Sequence, residues 1–322
     1  QDDHIYQLSR SNDAWTLGDL TEQASSKVLA AGDPIGYGWD NDPNSASQHV
    51  IYLGQDGQIH ELWFSINTGT WADTTVTANS PADQLPVGQP AAVVWSNDLK
   101  GPTQHIFFRA QNSHIYEYFS FGGGNAWLSN DLTLATNDHA TPASDPSAFV
   151  WDPGSQNCSA LHVGYRDNTN SIHDLYRFAN EWQPATDPSW LADRSLSPKV
   201  LAVGNPVGLA YNSNPNFLAP TIHWFYRTAD GHIGELWSGE KDVWGVNDLS
   251  SEASKQGQPM VAATDILLAY VWDGDVNQHS SESVIYRGVD NHLYALSYGA
   301  IDHFWTLTDL TKETGAPLAA DK

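Results

Sequence analysis

The apolar and polar positions of the chain form short segments that recur in a fixed order. The first segment is small and apolar and ends in an aromatic residue, with copies at 34–39, 91–95, 147–151, 207–211 and 267–272. The second reads His-apolar-apolar-Tyr-Arg in its ideal form, with copies at 49–53, 105–109, 162–166, 223–227 and 283–287. Short segments rich in aromatic and β-branched side chains are typical of β-strands.

Two further segments complete the repeating unit. The third reads Ile-x-Glu-x-aromatic, with copies at 59–63, 115–119, 172–176, 233–237 and 293–297. The fourth often runs to Asp-Leu-Thr and starts at a tryptophan, namely Trp71, Trp127, Trp182, Trp244 or Trp305. Asp56-Gly57 and Asp230-Gly231 separate the second and third segments, which is typical of tight hairpins. The unit therefore predicts a meander of four antiparallel strands.

A four-stranded unit of about 56 residues that repeats along a chain indicates a β-propeller. The longest connection follows the fourth strand and carries proline, as at Pro86 and Pro90, so it marks the passage to the next sheet. The Gly- and Ala-rich first strand would lie innermost, because strands crowded at an axis need small side chains. We predict an all-β protein with a single propeller domain over 1–322 and complete blades at 31–86, 87–142, 143–202, 203–262 and 263–322.

The N-terminal segment, 1–30, carries only the second half of a unit. Residues 4–8 match the third strand and residues 15–20 match the fourth, and neither end of the sequence supplies the first two strands. We predict a six-bladed propeller with an incomplete N-terminal blade. A five-bladed propeller, with the half-blade packed in another way, is the alternative.

Four blades carry a histidine and an acidic residue at an unvarying spacing. The histidine begins the second strand and the acid follows 12 residues later, in the pairs His49 and Glu61, His105 and Glu117, His162 and Asp174, and His223 and Glu235. Neighbouring antiparallel strands would place each pair side by side on one face of the sheet. Two residues beyond the acid, the same face carries an aromatic residue: Trp63, Phe119, Tyr176 or Trp237.

Blade five has lost this set as a whole, with Ser283, Ala295 and Ser297 at the three positions. A set that disappears together while the strand pattern persists indicates a binding site that a blade can lose. A structural hydrogen bond between two strands is the alternative for the pair, and packing between blades is the alternative for the aromatic. We expect no metal ion, because no blade adds a second His or Cys to this face at a fixed spacing.

The chain is strongly acidic, with 38 Asp and Glu against 14 Lys and Arg and a formal charge of −24. Such a surface repels nucleic acid and anionic lipid, so we expect neither nucleic-acid binding nor membrane insertion. We expect no cofactor, and the chain could form a homo-oligomer. The single cysteine, Cys158, leaves the compartment open; a secreted location is slightly favoured over a cytosolic one.

A carboxylate, a ring nitrogen and an aromatic face match the chemistry of a sugar. The carboxylate accepts hydrogen bonds from two hydroxyls, the imidazole donates or accepts one, and an aromatic plane covers the C–H face of a sugar ring. Small pockets of this kind are weak individually, but several in one rigid protein give avidity on a glycan-covered surface.

The chain resembles the Aleuria-type fucose-binding lectins of fungi and bacteria, which are six-bladed propellers. In that family an Arg begins the second strand, Ile-x-Glu follows at the same spacing, and a Trp on the fourth strand of the next blade closes the pocket. A histidine replaces the arginine in this chain. The resemblance implies four pockets: His49 and Glu61 with Trp127, His105 and Glu117 with Trp182, His162 and Asp174 with Trp244, and His223 and Glu235 with Trp305.

We therefore predict a multivalent carbohydrate-binding lectin that recognises glycans or glycoconjugates and is not an enzyme. One alternative is a glycoside-processing enzyme, which needs two acidic groups in one cleft, whereas the acids here are spread evenly over the repeat. The other is a propeller that serves as a scaffold for protein interactions.

Overall fold

A computed structural model describes most of the chain. The described residues are 2–11, 14–40, 46–96, 98, 101–121, 126–151, 159–178, 181–188, 201–211, 221–240, 243–254, 261–272, 281–299 and 304–319. Cys158 lies outside them. In the described residues, no helix is long and apolar enough to cross a membrane.

The strands form five four-stranded antiparallel sheets, and within each sheet every strand pairs with the next one along the chain. Sheet one contains β3 (Ile35–Trp39), β4 (Ser47–Leu53), β5 (Ile59–Ser65) and β6 (Thr70–Thr75). Sheet two contains β7 (Ala91–Trp95), β8 (Thr103–Arg109), β9 (Ile115–Ser120) and β10 (Leu128–Asp131). A two-stranded sheet of β1 (Tyr6–Ser11) and β2 (Ala14–Asp19) precedes them. The predicted meander is thus confirmed.

The remaining three sheets follow the same order of strands. Sheet three contains β11 (Ser147–Trp151), β12 (Ala160–Arg166), β13 (Ile172–Phe178) and β14 (Glu181–Trp182). Sheet four contains β15 (Ala202–Tyr211), β16 (Thr221–Thr228), β17 (Ile233–Glu240) and β18 (Val243–Asp248). Sheet five contains β19 (Ala262–Trp272), β20 (Ser281–Gly288), β21 (Leu293–Gly299) and β22 (Phe304–Asp309).

The chain divides into two compact units. The first unit comprises Gln1–Pro146, Asp152–Ser159 and Arg177–Gln183, and the second comprises Ser147–Trp151, Ala160–Tyr176 and Pro184–Lys322. Sheets one and two belong to the first unit together with β14, and sheets four and five belong to the second.

In each unit the apolar core lies between consecutive sheets. Ile51 and Ile59 of sheet one pack in one cluster with Ile106 and Phe108 of sheet two. In the second unit, residues of sheets four and five form a cluster of the same kind. These sheets bury a face against the neighbouring sheet of the same unit, and burying a side chain of this size contributes roughly 1.5–3 kcal/mol. This packing sets the distance between side chains that neighbouring sheets contribute to one site.

The Asp-Leu-Thr motif ends a strand and begins a short helix, which the sequence analysis placed wholly in the fourth strand. The helices are α1 (Leu20–Gln23), α2 (Leu132–Ala135), α3 (Leu249–Ser254) and α4 (Leu310–Thr314). The aspartate before each helix accepts a hydrogen bond from a backbone N–H of the first turn, at 2.9–3.1 Å. This contact satisfies an N–H group that a helix start leaves without a helical partner.

The first strands of sheets four and five are longer than predicted. β15 begins at Ala202 and changes register between Val203 and Val207, and β19 begins at Ala262 with a similar irregularity. Gly204 adopts a φ of 81° at this point, a backbone conformation that glycine tolerates best. The bulge lets the strand continue past a break in its apolar pattern, so the pattern alone marked only its second half.

Candidate functional site

The four predicted histidine–acid pairs form in the structure. Nδ1 of the histidine lies 2.7 Å from Oε1 of the acid in sheets one and two, and 2.6 Å in sheet four. In sheet three, Nδ1 of His162 lies 3.0 Å from Oδ2 of Asp174. These are hydrogen-bond distances.

The register places the histidine directly opposite the aromatic residue rather than opposite the acid. His49 pairs with Trp63, His105 with Phe119 and His223 with Trp237. The acid is therefore the diagonal neighbour of the histidine on the same face, within reach of its ring. Each set forms a continuous row across the second and third strands.

The pairs are buried, with no histidine or acid more than 5% exposed. In sheet one, Nε2 of His49 lies 2.7 Å from the Ser47 hydroxyl, and in sheet two, Nε2 of His105 lies 2.7 Å from the Thr103 hydroxyl. Both ring nitrogens of these two histidines thus have partners within their own sheet. This arrangement favours the structural alternative for the histidines.

The carboxylates of Glu117 and Glu235 have partners on both oxygens. Oε2 of Glu117 accepts hydrogen bonds from Asn130 at 2.6 Å and from the Trp182 indole at 3.3 Å. Oε2 of Glu235 accepts one from Asn247 at 2.7 Å. Burial raises the pKa of Glu117, but the hydrogen bonds with His105 and Asn130 and the nearby charges outweigh it and hold that pKa below its usual value.

The fourth-strand tryptophans lie against the preceding sheet, as the resemblance implied. Trp182 meets Phe107 edge-on with ring centroids 6.4 Å apart, and Trp305 meets Phe225 in the same way at 6.4 Å. Trp127 packs against the cluster that joins sheets one and two, and Trp244 belongs to a cluster that includes Phe149 of sheet three. All four tryptophans therefore pack between sheets.

The third-strand aromatics are the members of the row that solvent reaches. Trp237 is 38% exposed, and Trp63, Phe119 and Tyr176 are half-buried. The indole of Trp237 lies over Gly245 of the neighbouring strand, where an added Cβ would approach it to 2.6 Å. The aromatic side chains are therefore partly open to solvent beside the buried histidine–acid pairs.

Solved structures with a similar backbone include two lectins. A lectin from Burkholderia pseudomallei has a TM-score of 0.62 at 12% identity, with 95% of this chain and 77% of that chain covered. A mutant of AofleA from Arthrobotrys oligospora has a TM-score of 0.58 at 15% identity, with 96% and 80% covered. The fucose-specific lectin from Aleuria aurantia has a TM-score of 0.56 at 16% identity, with 90% and 82% covered.

The chain has the β-propeller fold of the Aleuria-type lectins. No protein-family profile and no curated protein sequence matches it, so the likeness is one of backbone structure. The five four-stranded sheets are called blades one to five, in chain order, and the two-stranded β1–β2 sheet precedes them. The predicted fold class is thereby confirmed.

In blade five, small residues occupy the three positions of the row. Ser283 and Ser297 face each other across β20 and β21, and their hydroxyls lie 2.9 Å apart. Ala295 is buried, and its neighbour Leu296 belongs to the core between blades four and five. A small polar contact thus replaces the histidine, acid and aromatic without loss of the four-stranded sheet.

A second histidine–acid pair, which the sequence analysis did not identify, recurs at the start of the third strand. The histidine contacts the aspartate that caps the short helix, in the pairs His4–Asp19, His114–Asp131, His232–Asp248 and His292–Asp309, at 2.7–2.9 Å. The signal was present in the sequence as a histidine 16 or 17 residues before Asp-Leu in blades two, four and five. These pairs tie the hairpin to the helix cap and lie away from the central row.

The His232–Asp248 pair predicts a pH-dependent contribution to stability. The hydrogen bond to Asp248 raises the pKa of His232; burial opposes the ionised form of Asp248, but the bonds from His232 and Ser251 lower the pKa of that carboxyl. The contribution is therefore present between about pH 4 and 6.5, and it is lost as the pH rises through the pKa of folded His232. We expect the difference in melting temperature between wild type and His232→Gln to shrink from about pH 6 to 8. A difference that stays constant over this range would contradict the assignment.

Proposed function

We propose that the propeller is a multivalent lectin that binds glycans in repeated shallow pockets and performs no catalysis. The observation that carries the proposal is the row of histidine, acid and aromatic, which blades one to four repeat and blade five lacks while keeping its sheet. A feature needed for the fold alone would be expected in every blade. A feature needed for binding can be lost from one blade without harm to the others.

The accessible aromatic faces are the proposed contact surface for the sugar. They are Trp63, Phe119, Tyr176 and Trp237, and each lies next to the buried histidine of its own blade. Aromatic side chains offer a large apolar face at a low cost in conformational entropy. In this arrangement the buried histidine–acid pairs and the fourth-strand tryptophans that pack between sheets support the platform from within.

The structurally similar lectins suggest which sugars to test first. The fucose-specific lectin from Aleuria aurantia binds fucosides, and fucosylated glycans are therefore the first probes. Because a histidine occupies the position of the family's arginine, the array should also include glycans without fucose. The acidic charge of the chain favours neutral glycans over sialylated ones, since like charges repel.

A glycan array followed by a hydrolysis assay on its hits tests the function. We expect saturable binding to at least one glycan class, no release of sugar from that glycan, and at most four equivalents bound per chain by calorimetry. Turnover of a bound glycan would indicate the enzyme instead. If a correctly folded chain binds no glycan on the array, a scaffold for protein interactions would be favoured.

A further inference from the structure

A third ligand-forming side chain joins the histidine–acid pair of blade four. Glu282, from β20 of blade five, places Oε2 3.3 Å from Nδ1 of His223, which also lies 2.6 Å from Oε1 of Glu235. Among the described residues, these three form the one group of His, Cys, Asp or Glu whose ligand atoms all lie within 4.8 Å of one another. We call them the interblade triad.

The triad forms because two positions differ between the blades. In blade two the residue corresponding to Glu282 is Gln104, whose Oε1 accepts a hydrogen bond from the Tyr37 hydroxyl at 2.8 Å. In blade four the residue corresponding to Tyr37 is Leu209, which pairs with His223 as Tyr37 pairs with His49. Leucine offers no hydroxyl, and the carboxylate of Glu282 contacts the histidine instead.

The triad places two carboxylates and one imidazole in a buried setting. His223, Glu235 and Glu282 are each at most 5% exposed. Burying two carboxylates is costly unless positive charge compensates them. A doubly charged cation would compensate both carboxylates.

The donor set selects the class of cation. One imidazole nitrogen and two carboxylate oxygens suit Zn²⁺ and related first-row divalent ions better than Mg²⁺ or Ca²⁺, which prefer oxygen ligands alone. Ligands of a tetrahedral zinc site lie about 3.3 Å apart, the separation already present between His223 and Glu282. Asn247 holds the second oxygen of Glu235 at 2.7 Å, as outer partners of metal ligands commonly do.

We propose that the interblade triad of His223, Glu235 and Glu282 binds one divalent transition-metal ion of the Zn²⁺ class. The ion takes the place of the hydrogen bond between Nδ1 of His223 and Glu235, and it binds the neutral imidazole through Nδ1 while the single ring proton stays on Nε2. The site links blade four to blade five within the second unit. It does not depend on the proposed lectin function, because metal binding is measured without any glycan.

The test is a titration of the full chain, stripped with chelator, with Zn²⁺ alone. We expect one tight equivalent per chain by calorimetry and a rise in melting temperature, both in the presence of excess Mg²⁺ to occupy weak surface carboxylates. Glu282→Gln introduces the side chain that Gln104 supplies at the equivalent position of blade two. It should weaken Zn²⁺ binding at least about tenfold. Glu61→Gln, in a pair of blade one, is the matched control and should leave the tight equivalent unchanged.

Three outcomes would overturn the proposal. They are the absence of tight Zn²⁺ binding to the wild-type chain, equal binding by wild type and Glu282→Gln, and equal loss in Glu61→Gln. If Glu282→Gln does not fold, nitrogen NMR of the wild-type histidines decides, because Zn²⁺ should shift one imidazole strongly and leave the others in place. Shifts spread over many histidines, or no shift at all, would also overturn the proposal.

Discussion

Replacing Glu117 with alanine is expected to lower the free energy of unfolding by about 3–5 kcal/mol, because it leaves the buried His105 without its carboxylate partner. Glu117 is fully buried and accepts hydrogen bonds from His105, Asn130 and Trp182. Its removal therefore frees three donors in a region without solvent. Chemical denaturation followed by tryptophan fluorescence measures the loss.

The double variant His105→Ser with Glu117→Ala is the control, because blade five naturally carries serine and alanine at the equivalent positions. It copies Ser283 and Ala295 of blade five, where the sheet forms without the pair. Removing both partners leaves no buried charge, so we expect the double variant to be more stable than Glu117→Ala alone. A double variant as unstable as the sum of the two single ones would mean that the residues act independently.

Replacing the four accessible aromatics with alanine is expected to abolish agglutination of glycan-bearing cells. The quadruple variant of Trp63, Phe119, Tyr176 and Trp237 removes the proposed contact face from every blade that has one. Avidity from linked weak sites reaches about 10²–10⁴-fold over a single site, so agglutination should collapse once fewer than two faces remain. Single variants should each reduce the number of bound glycans per chain by one.

The matched control is Trp15→Ala in the β1–β2 sheet. Trp15 is 66% exposed, and its sheet carries neither the histidine nor the acid of the row. Its replacement should leave agglutination unchanged and should lower the melting temperature little. Wild-type agglutination by a folded quadruple variant would refute the assignment of the aromatic faces. Melting curves are read first, since an unfolded variant says nothing about contacts.

For the histidines of the row, residue type was a poor guide to solvent exposure. The repeat pattern predicts that His49, His105, His162 and His223 contact sugar, and that assignment stays a prediction. In the structure these residues are buried, and stacking also encloses them, as where His162 lies between Phe149 at 5.0 Å and Tyr176 at 5.7 Å. Polar residues at repeated positions indicate either a binding site or a structural hydrogen bond, and only the surrounding side chains distinguish the two.

The sequence by itself determined the order of the strands and the pairing of each histidine with its acid. Both follow from local rules, because strand side chains alternate with period two and a short hairpin limits which residues can meet across it. The unvarying spacing of 12 residues between histidine and acid is therefore enough to predict a contact inside one sheet. The loss of the row from blade five was likewise readable from Ser283, Ala295 and Ser297.

Only the tertiary structure decided what surrounds each pair. Burial of the pairs, the contact of Trp182 with Glu117 and the approach of Glu282 to His223 all involve side chains from different sheets. Such contacts depend on the volumes of residues that are far apart in the chain, as where Leu209 replaces a tyrosine and Glu282 reaches the histidine. Packing between sheets has no period along the sequence, because it is set by shape complementarity in three dimensions.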